Sequence, residues 1–188
     1  MESSRWQPPA HVGSYERSVA IGSGDATWSA ACTDVLSWKV KSRSGFRVES
    51  TDVGLDSAEV GGTGFDSVEF GGAEFDGAGF DSGGQARQGD RHWLTASAWL
   101  WQVHEPIEVV AVIRTDDRCG LAYGTLDGHP VSGEEAFIVS RNRAGTVTLT
   151  IRSLTTPGGG RWRAAWPAVR LAQHYYRRRY LRSLTLHD

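Results

Sequence analysis

The stretch 120–137, GLAYGTLDGHPVSGEEAF, constrains the fold more than any other part of the chain. Apolar and aromatic residues on either side of an Asp-Gly-His-Pro turn predict two strands, 119–126 and 134–140, joined by a loop over 127–133. Asn142-Arg143-Ala144-Gly145 reads as a hairpin turn, because Asn and Gly tolerate the backbone angles it needs. Strict alternation follows over 146–154, with Val147, Leu149 and Ile151 facing inward and Thr148, Thr150 and Arg152 outward. Upstream, 93–103 reads as one long strand or two joined ones. Glu105-Pro106 is expected to interrupt the sheet, and 107–113, apolar on both faces, reads as an internal strand. This meander leads into one long C-terminal helix. It begins near Trp166-Pro167, where proline suits the first turn, and is expected to reach about Leu184. Its apolar face is Trp166, Val169, Ala172, Tyr176, Tyr180 and Leu184, with Arg170, Arg177, Arg178 and Arg182 around the other side.

The first part of the chain adds a lead over 1–14 expected to be disordered, a strand over 15–21 and a turn at Gly22–Asp25 with Asp25 as N-cap. A helix should run from there to Trp38, since Trp28, Ala31, Cys32, Val35 and Trp38 share a face. Strand resumes at 45–48. Residues 54–90 read as a disordered low-complexity insert: GLDSAEVGGT, GFDSVEFGGA and EFDGAGFDSG are three versions of a ten-residue unit. A unit so rich in glycine and acid buries little. Its period of ten does not match the nine-residue Gly-Asp repeats that bind calcium. The formal net charge of −2 therefore hides an uneven distribution. Residues 54–84 carry seven carboxylates and no Lys or Arg, so the remainder is mildly basic. Its basic residues are arginines except for Lys39 and Lys41.

An order of strand, helix, several antiparallel strands and one long helix is best satisfied by a curved sheet wrapped around that helix, because each has one apolar face to hide. This α+β arrangement is the helix-grip fold of START and Bet v 1-like (SRPBCC) proteins, in which a pocket remains between helix and sheet. The segments 15–48 and 106–184 also resemble the uncharacterised protein family 0548, a family of unknown function. The residues that carry the resemblance are Tyr15-Glu16, Gly22-x-Gly24, Trp38 and Gly45, the block from Gly120 to Phe137, and Arg179-Tyr180-Leu181. The insert departs from the family pattern, and the resemblance implies no activity.

Several chemistries are excluded. Gly22-Ser-Gly24 lacks the third glycine and the βαβ context of a dinucleotide site, and neither a Gly-x-Ser-x-Gly elbow nor a P-loop occurs. Adjacent Glu134 and Glu135 face opposite sides of a strand, so they cannot act as a carboxylate pair on one substrate. Glu135 should turn inward with Phe137 and Val139. A buried carboxylate needs a partner, for which His129 and Arg152 are the candidates. His129 is either a group at the pocket mouth or a brace for its loop. With Glu134 or Glu135 it lacks a third metal ligand, and His92, His104 and His174 are scattered, so neither metal nor cofactor is expected. Cys32 and Cys119 form no CxxC, and a disulfide between them stays open. The start MESSRWQPPAH has no apolar signal region, and no run nears the ~18 apolar residues of a membrane helix, so a cytoplasmic protein is the expectation. Arg177-Arg178-Arg179 with Tyr175, Tyr176 and Tyr180 has the mixture of a nucleic-acid surface. The tyrosines are needed for the helix's apolar face, however, so no nucleic acid is expected.

The functional expectation is a protein that binds a small hydrophobic or amphipathic molecule between sheet and helix. Its pocket is expected to be lined by Trp99, Trp101, Tyr123, Phe137, Leu149, Ile151, Val169 and Tyr176. Two alternatives stand beside it. One is a cyclase, hydratase or hydrolase with His129 and Glu135 as acid–base pair; the other is a partner-binding scaffold acting through the Arg-rich helix.

Overall fold

The computed structural model describes residues 6–10, 12–50, 84–98, 101–157, 159 and 161–185. Among these residues, seven strands form a single antiparallel sheet and four helices accompany it. In chain order these are β1 (Gly13–Ser23), α1 (Gly24–Leu36), α2 (Lys39–Ser42), β2 (Phe46–Ser50), β3 (Arg91–Ala98), β4 (Trp101–Arg114), β5 (Arg118–Thr125), β6 (Val131–Arg141), β7 (Thr146–Pro157), α3 (Arg161–Ala164) and α4 (Trp166–Tyr180). The order across the sheet is β1-β7-β6-β5-β4-β3-β2, so the first and last strands pair and the central strand is β5. Register shifts at Ala20/Gly22 in β1 and Val109/Ala111 in β4 mark bulges. Such extra residues bend strands and deepen the twist. The result is the α+β helix-grip architecture, with a curved sheet and a C-terminal helix across its concave side.

The concave face changes character along the strands. Cys119, Val139, Leu149 and Val19 form one cross-strand row, and Leu121, Phe137, Ile151 and Arg17 the next. α1 packs over this end, and Ala31, Val35 and Leu36 join Leu121, Phe137, Val139, Leu149 and Ile151 in one buried core. The following row is Val109, Tyr123, Glu135, Ser153 and Tyr15, and there polar groups enter. A disulfide between Cys32 of α1 and Cys119 of β5, with Cα atoms 5.7 Å apart, fixes the helix on the apolar end.

Several local expectations are corrected. Pro106 does not interrupt the sheet, because β4 runs through it. Its carbonyl accepts from Leu126 N at 2.9 Å, on the side where β5 has already ended at Thr125. The N–H that proline lacks would point the same way, towards Leu126, so the pairing with β3 keeps its bonds and the loss falls at the end of the β5 ladder. Of the two readings of 93–103, the second holds: it is two strands, β3 and β4, paired from Arg91–Glu108 to Ala98–Trp101. Asp25 lies inside the first turn of α1 rather than at its N-cap, which is Ser23, and it pairs with Arg141 at 2.8 Å. α1 stops at Leu36. Trp38 then takes a left-handed conformation (φ 60°) and starts the one-turn α2. α4 ends at Tyr180, four residues short of Leu184, which is nonetheless buried in the turn that follows. Of the insert, residues 51–83 lie outside the described residues. Residues 84–90 belong to the fold: Ala86 N donates to Leu36 O at 2.8 Å, Gly89 N to Val109 O at 2.8 Å, and Ala86 is buried. Val12 is buried and β1 begins at Gly13, so the lead is shorter than expected.

The cross-link closes a loop with a sequence separation of 87 residues. Constraining so long a loop in the unfolded chain is worth about 2–5 kcal/mol. Reduction, or the double variant Cys32→Ser/Cys119→Ser, is expected to lower stability by that amount in urea denaturation followed by tryptophan fluorescence.

Candidate functional site

Beyond the Tyr123 row, α4 crosses the sheet without lying flush on it. Along α4 only Tyr180 is buried, while Trp166, Val169, Gln173, Tyr176 and Arg177 are half-buried. A cavity of about 270 Å³ lies between this helix and the open end of β3–β7. Ala96, Val103, Pro130 and Val131 form much of the sheet-side wall, and Ala165, Ala168, Val169, Ala172 and Tyr176 the helix side. The polar groups gather at Lys41, Glu105, Tyr123, His129, Glu135 and Tyr180.

Lys41 organises this cluster. The turn at Trp38 aims α2 inward, so that Val40 and Lys41 are both buried. Lys41 Nζ lies 2.8 Å from Glu135 Oε2 and donates to Tyr180 Oη at 2.7 Å. Tyr123 Oη donates to the same Glu135 Oε2 at 2.5 Å. The rings of Phe46, Tyr180, Tyr123 and Phe137 surround the ammonium, with centroids 4.5, 4.6, 5.1 and 5.7 Å away. Ring faces attract a cation, and more strongly where water is excluded. Burial, reinforced by the Glu135 charge, pushes the Tyr123 and Tyr180 hydroxyls well above the ordinary phenol range, so both remain protonated donors.

A second pair stands beside the first. His129 Nε2 lies 3.6 Å from Glu105 Oε2. Its other nitrogen, Nδ1, accepts from Val131 N at 3.0 Å, which places the ring proton on Nε2, towards Glu105. Burial opposes the charge of Glu105. His129 and, further off, Lys41 outweigh it and hold the carboxyl below its ordinary range. At the rim, Arg177 donates to Ser153 Oγ at 2.8 Å and stacks on Tyr15 at 4.3 Å. It faces the sheet and not solvent, where the helix-wheel pattern had put it.

The expected lining divides in three. Tyr123, Val169 and Tyr176 line the cavity, as do His129 and Glu135. Phe137, Leu149 and Ile151 do not. They share the inward face but sit one or two rows nearer α1, where they are buried in the core. Trp99 lies outside the described residues, and of Trp101 only the backbone in β4 is described. Glu135 does turn inward with Phe137 and Val139, but neither His129 nor Arg152 is its partner. Arg152 bonds Glu16 at 2.5 Å on the outer face, and Lys41 takes the role.

Lys41, Glu105 and Tyr180 escaped the sequence-based lining. The available signal for Lys41 was its residue type, one of two lysines in a chain that otherwise uses arginine. Two glycines of the 120–137 block are also explained. A Cβ on Gly120 would meet Phe137 O at 2.2 Å, and one on Gly133 (φ 148°) Leu154 O at 1.9 Å. Among the described residues no group of three or more His, Cys, Asp or Glu is placed to hold a metal ion, and no helix is long and apolar enough to cross a membrane.

A curved sheet, a helix laid across it and a cavity between them define a helix-grip protein with a site of ligand size. The chain belongs to the family described as Domain of unknown function (DUF1990), which it matches over residues 1–183. It is 37% identical over 100 residues to a UPF0548 protein of Deinococcus radiodurans, an alignment that takes in 51% of this chain and 46% of the relative. The chain thus spans about half the length of that relative. Among solved structures, a hypothetical protein of Helicobacter pylori shares the fold at a TM-score of 0.54 and 13% identity, over 98% of this chain and 95% of that one. Ara h 8.0201 is similar at a TM-score of 0.46 and 10% identity, over 93% and 99% of the two chains.

Removing one member of a buried ion pair strands the other charge, at a cost of about 3–5 kcal/mol. Lys41→Met is expected to destabilise the protein by that much in chemical denaturation, and Lys41→Met/Glu135→Gln to recover most of it. Glu105 has its pKa lowered by folding. It therefore contributes stability above the ordinary carboxylate pKa, which is lost as pH falls through the lower folded value. Glu105→Gln should flatten that acid limb in a melting-temperature profile against pH, and leave the slope above neutrality unchanged.

Proposed function

We propose that the protein binds a small hydrophobic or amphipathic molecule in the cavity between sheet and α4. The observation that supports this is the division of its lining: apolar side chains on most of the wall, and a compact hydrogen-bonded cluster at Lys41, Glu135, Tyr123 and Tyr180. Concave sites with apolar walls and a few converging polar groups are the usual form of a small-molecule site. The volume matches the share of about nine water molecules in the liquid, at ~30 Å³ each. It suits a compact ligand or one chain of a larger one.

An acid–base reading is second. His129 and Glu135 line the same cavity, which favours it. Each is engaged by a different partner, Glu105 for His129 and Lys41 with Tyr123 for Glu135. Both donors on Glu135 take up Oε2, which leaves Oε1 as the atom that would act as base.

Native mass spectrometry of the freshly purified protein tests the binding reading. A reproducible added mass that disappears on denaturation is the expected result. Val169→Trp, which fills the cavity from the helix side, is expected to abolish that mass while shifting the melting temperature by only a few degrees. An adduct that persists in this variant would place the ligand elsewhere.

A further inference from the structure

We infer that the polar end of the ligand is an uncharged hydroxyl, held between the Tyr180 hydroxyl and the Glu135 carboxylate. The inference rests on the binding reading above and adds the chemistry of the headgroup. An ammonium has only donors, so Tyr180 Oη, 2.7 Å from Lys41 Nζ, is the acceptor in that bond. Its own proton meets no acceptor among the described residues. Glu135 shows the opposite imbalance. Lys41 and Tyr123 both bond Oε2, and Oε1 makes no hydrogen bond among the described residues. Both side chains line the cavity. Tyr180 Oη and Glu135 Oε2 each lie within 2.8 Å of Lys41 Nζ, so the two side chains are gathered around one ammonium. One donor and one acceptor thus stand unmatched side by side in a largely desolvated place, where unmade hydrogen bonds are costly.

The neighbouring charges select against ionic headgroups. Glu105 and Glu135 both line the cavity. Lys41 is paired with Glu135, and Arg177 stands apart at the rim, where it donates to Ser153 and lies over the Tyr15 ring. A carboxylate or phosphate placed at Glu135 would bring further acceptors against Oε1 and meet a Lys41 that is already paired. An alkylammonium would satisfy Oε1, but it offers nothing to the Tyr180 proton and sits beside the Lys41 ammonium. A hydroxyl donates to Glu135 and accepts from Tyr180 with the same atom. The remaining ring nitrogen of His129 does not compete, because Nδ1 already accepts from Val131 N.

Isothermal titration of the full chain at neutral pH with 1-octanol, octanoate and octylammonium separates these cases, since the three probes share one tail. Octanol is expected to bind at least about tenfold more tightly than either ion. Tyr180→Phe is expected to weaken octanol about fivefold and leave the two ions unchanged, a pattern that general loss of packing would not give. Octanoate or octylammonium binding as tightly as octanol in the native chain, with that binding lost in Val169→Trp, would overturn the headgroup assignment and leave the cavity as the binding site. Absence of binding by all three probes, or octanol binding undiminished in Val169→Trp, would overturn the binding reading itself and this inference with it.

Discussion

A single buried ammonium holds the open end of this fold together. Lys41 comes from α2, its carboxylate partner from β6, that carboxylate's second donor from β5 and its own hydroxyl acceptor from α4, with a ring of β2 beneath it. Each of these elements has other contacts, and this cluster joins all five at one charge. Desolvating a lysine is expensive. Here the expense is offset by one ion pair, one hydrogen bond and four ring faces, and no simple hydrophobic replacement reproduces that set. The cluster also explains why α2 exists. Trp38 accepts a left-handed backbone, unusual for a bulky residue, and that turn delivers the lysine.

The cavity follows from how the concave face is divided. Two cross-strand rows are apolar from β5 to β7 and accept α1, which the disulfide secures. From the Tyr123–Glu135–Ser153 row onward the sheet offers phenol, carboxylate and hydroxyl groups, on which a helix cannot lie flush without stranding them. α4 accordingly meets the sheet through its C-terminal Tyr180 and through Arg177, and keeps small side chains, Ala165, Ala168 and Ala172, over the gap. The space is thus a result of polarity in the strands and small size in the helix.

The fold was legible where periodicity carries it. The alternation in β7, the Asn-Gly hairpin and the inward turn of Glu135 with Phe137 and Val139 all follow from a period of two. The strand through Pro106 was not legible, because whether a missing N–H matters depends on which neighbour ends first, and no local pattern records that. Facing inward was also mistaken for facing the cavity. Phe137, Leu149 and Ile151 share the face of Glu135 and Ser153, and only the lateral position of α1 separates core from cavity. Lys41 was hidden for a related reason. Its burial is produced by partners from four other elements, while its own neighbours in sequence are Val40 and Ser42.

The disulfide gives the chain an unusual covalent topology. Cys32 and Cys119 enclose everything from the end of α1 through β4, the acidic repeat included, within one ring. Cleavage by a protease at a single bond inside that ring adds one water and opens it without separating the pieces, so the severed protein stays one covalent molecule until the sulfurs are reduced. Length added to the repeat enlarges a ring that is already closed, and closure entropy grows only with the logarithm of its size. Such a segment can therefore drift in length and suffer cuts with little consequence for the integrity of the molecule that carries it.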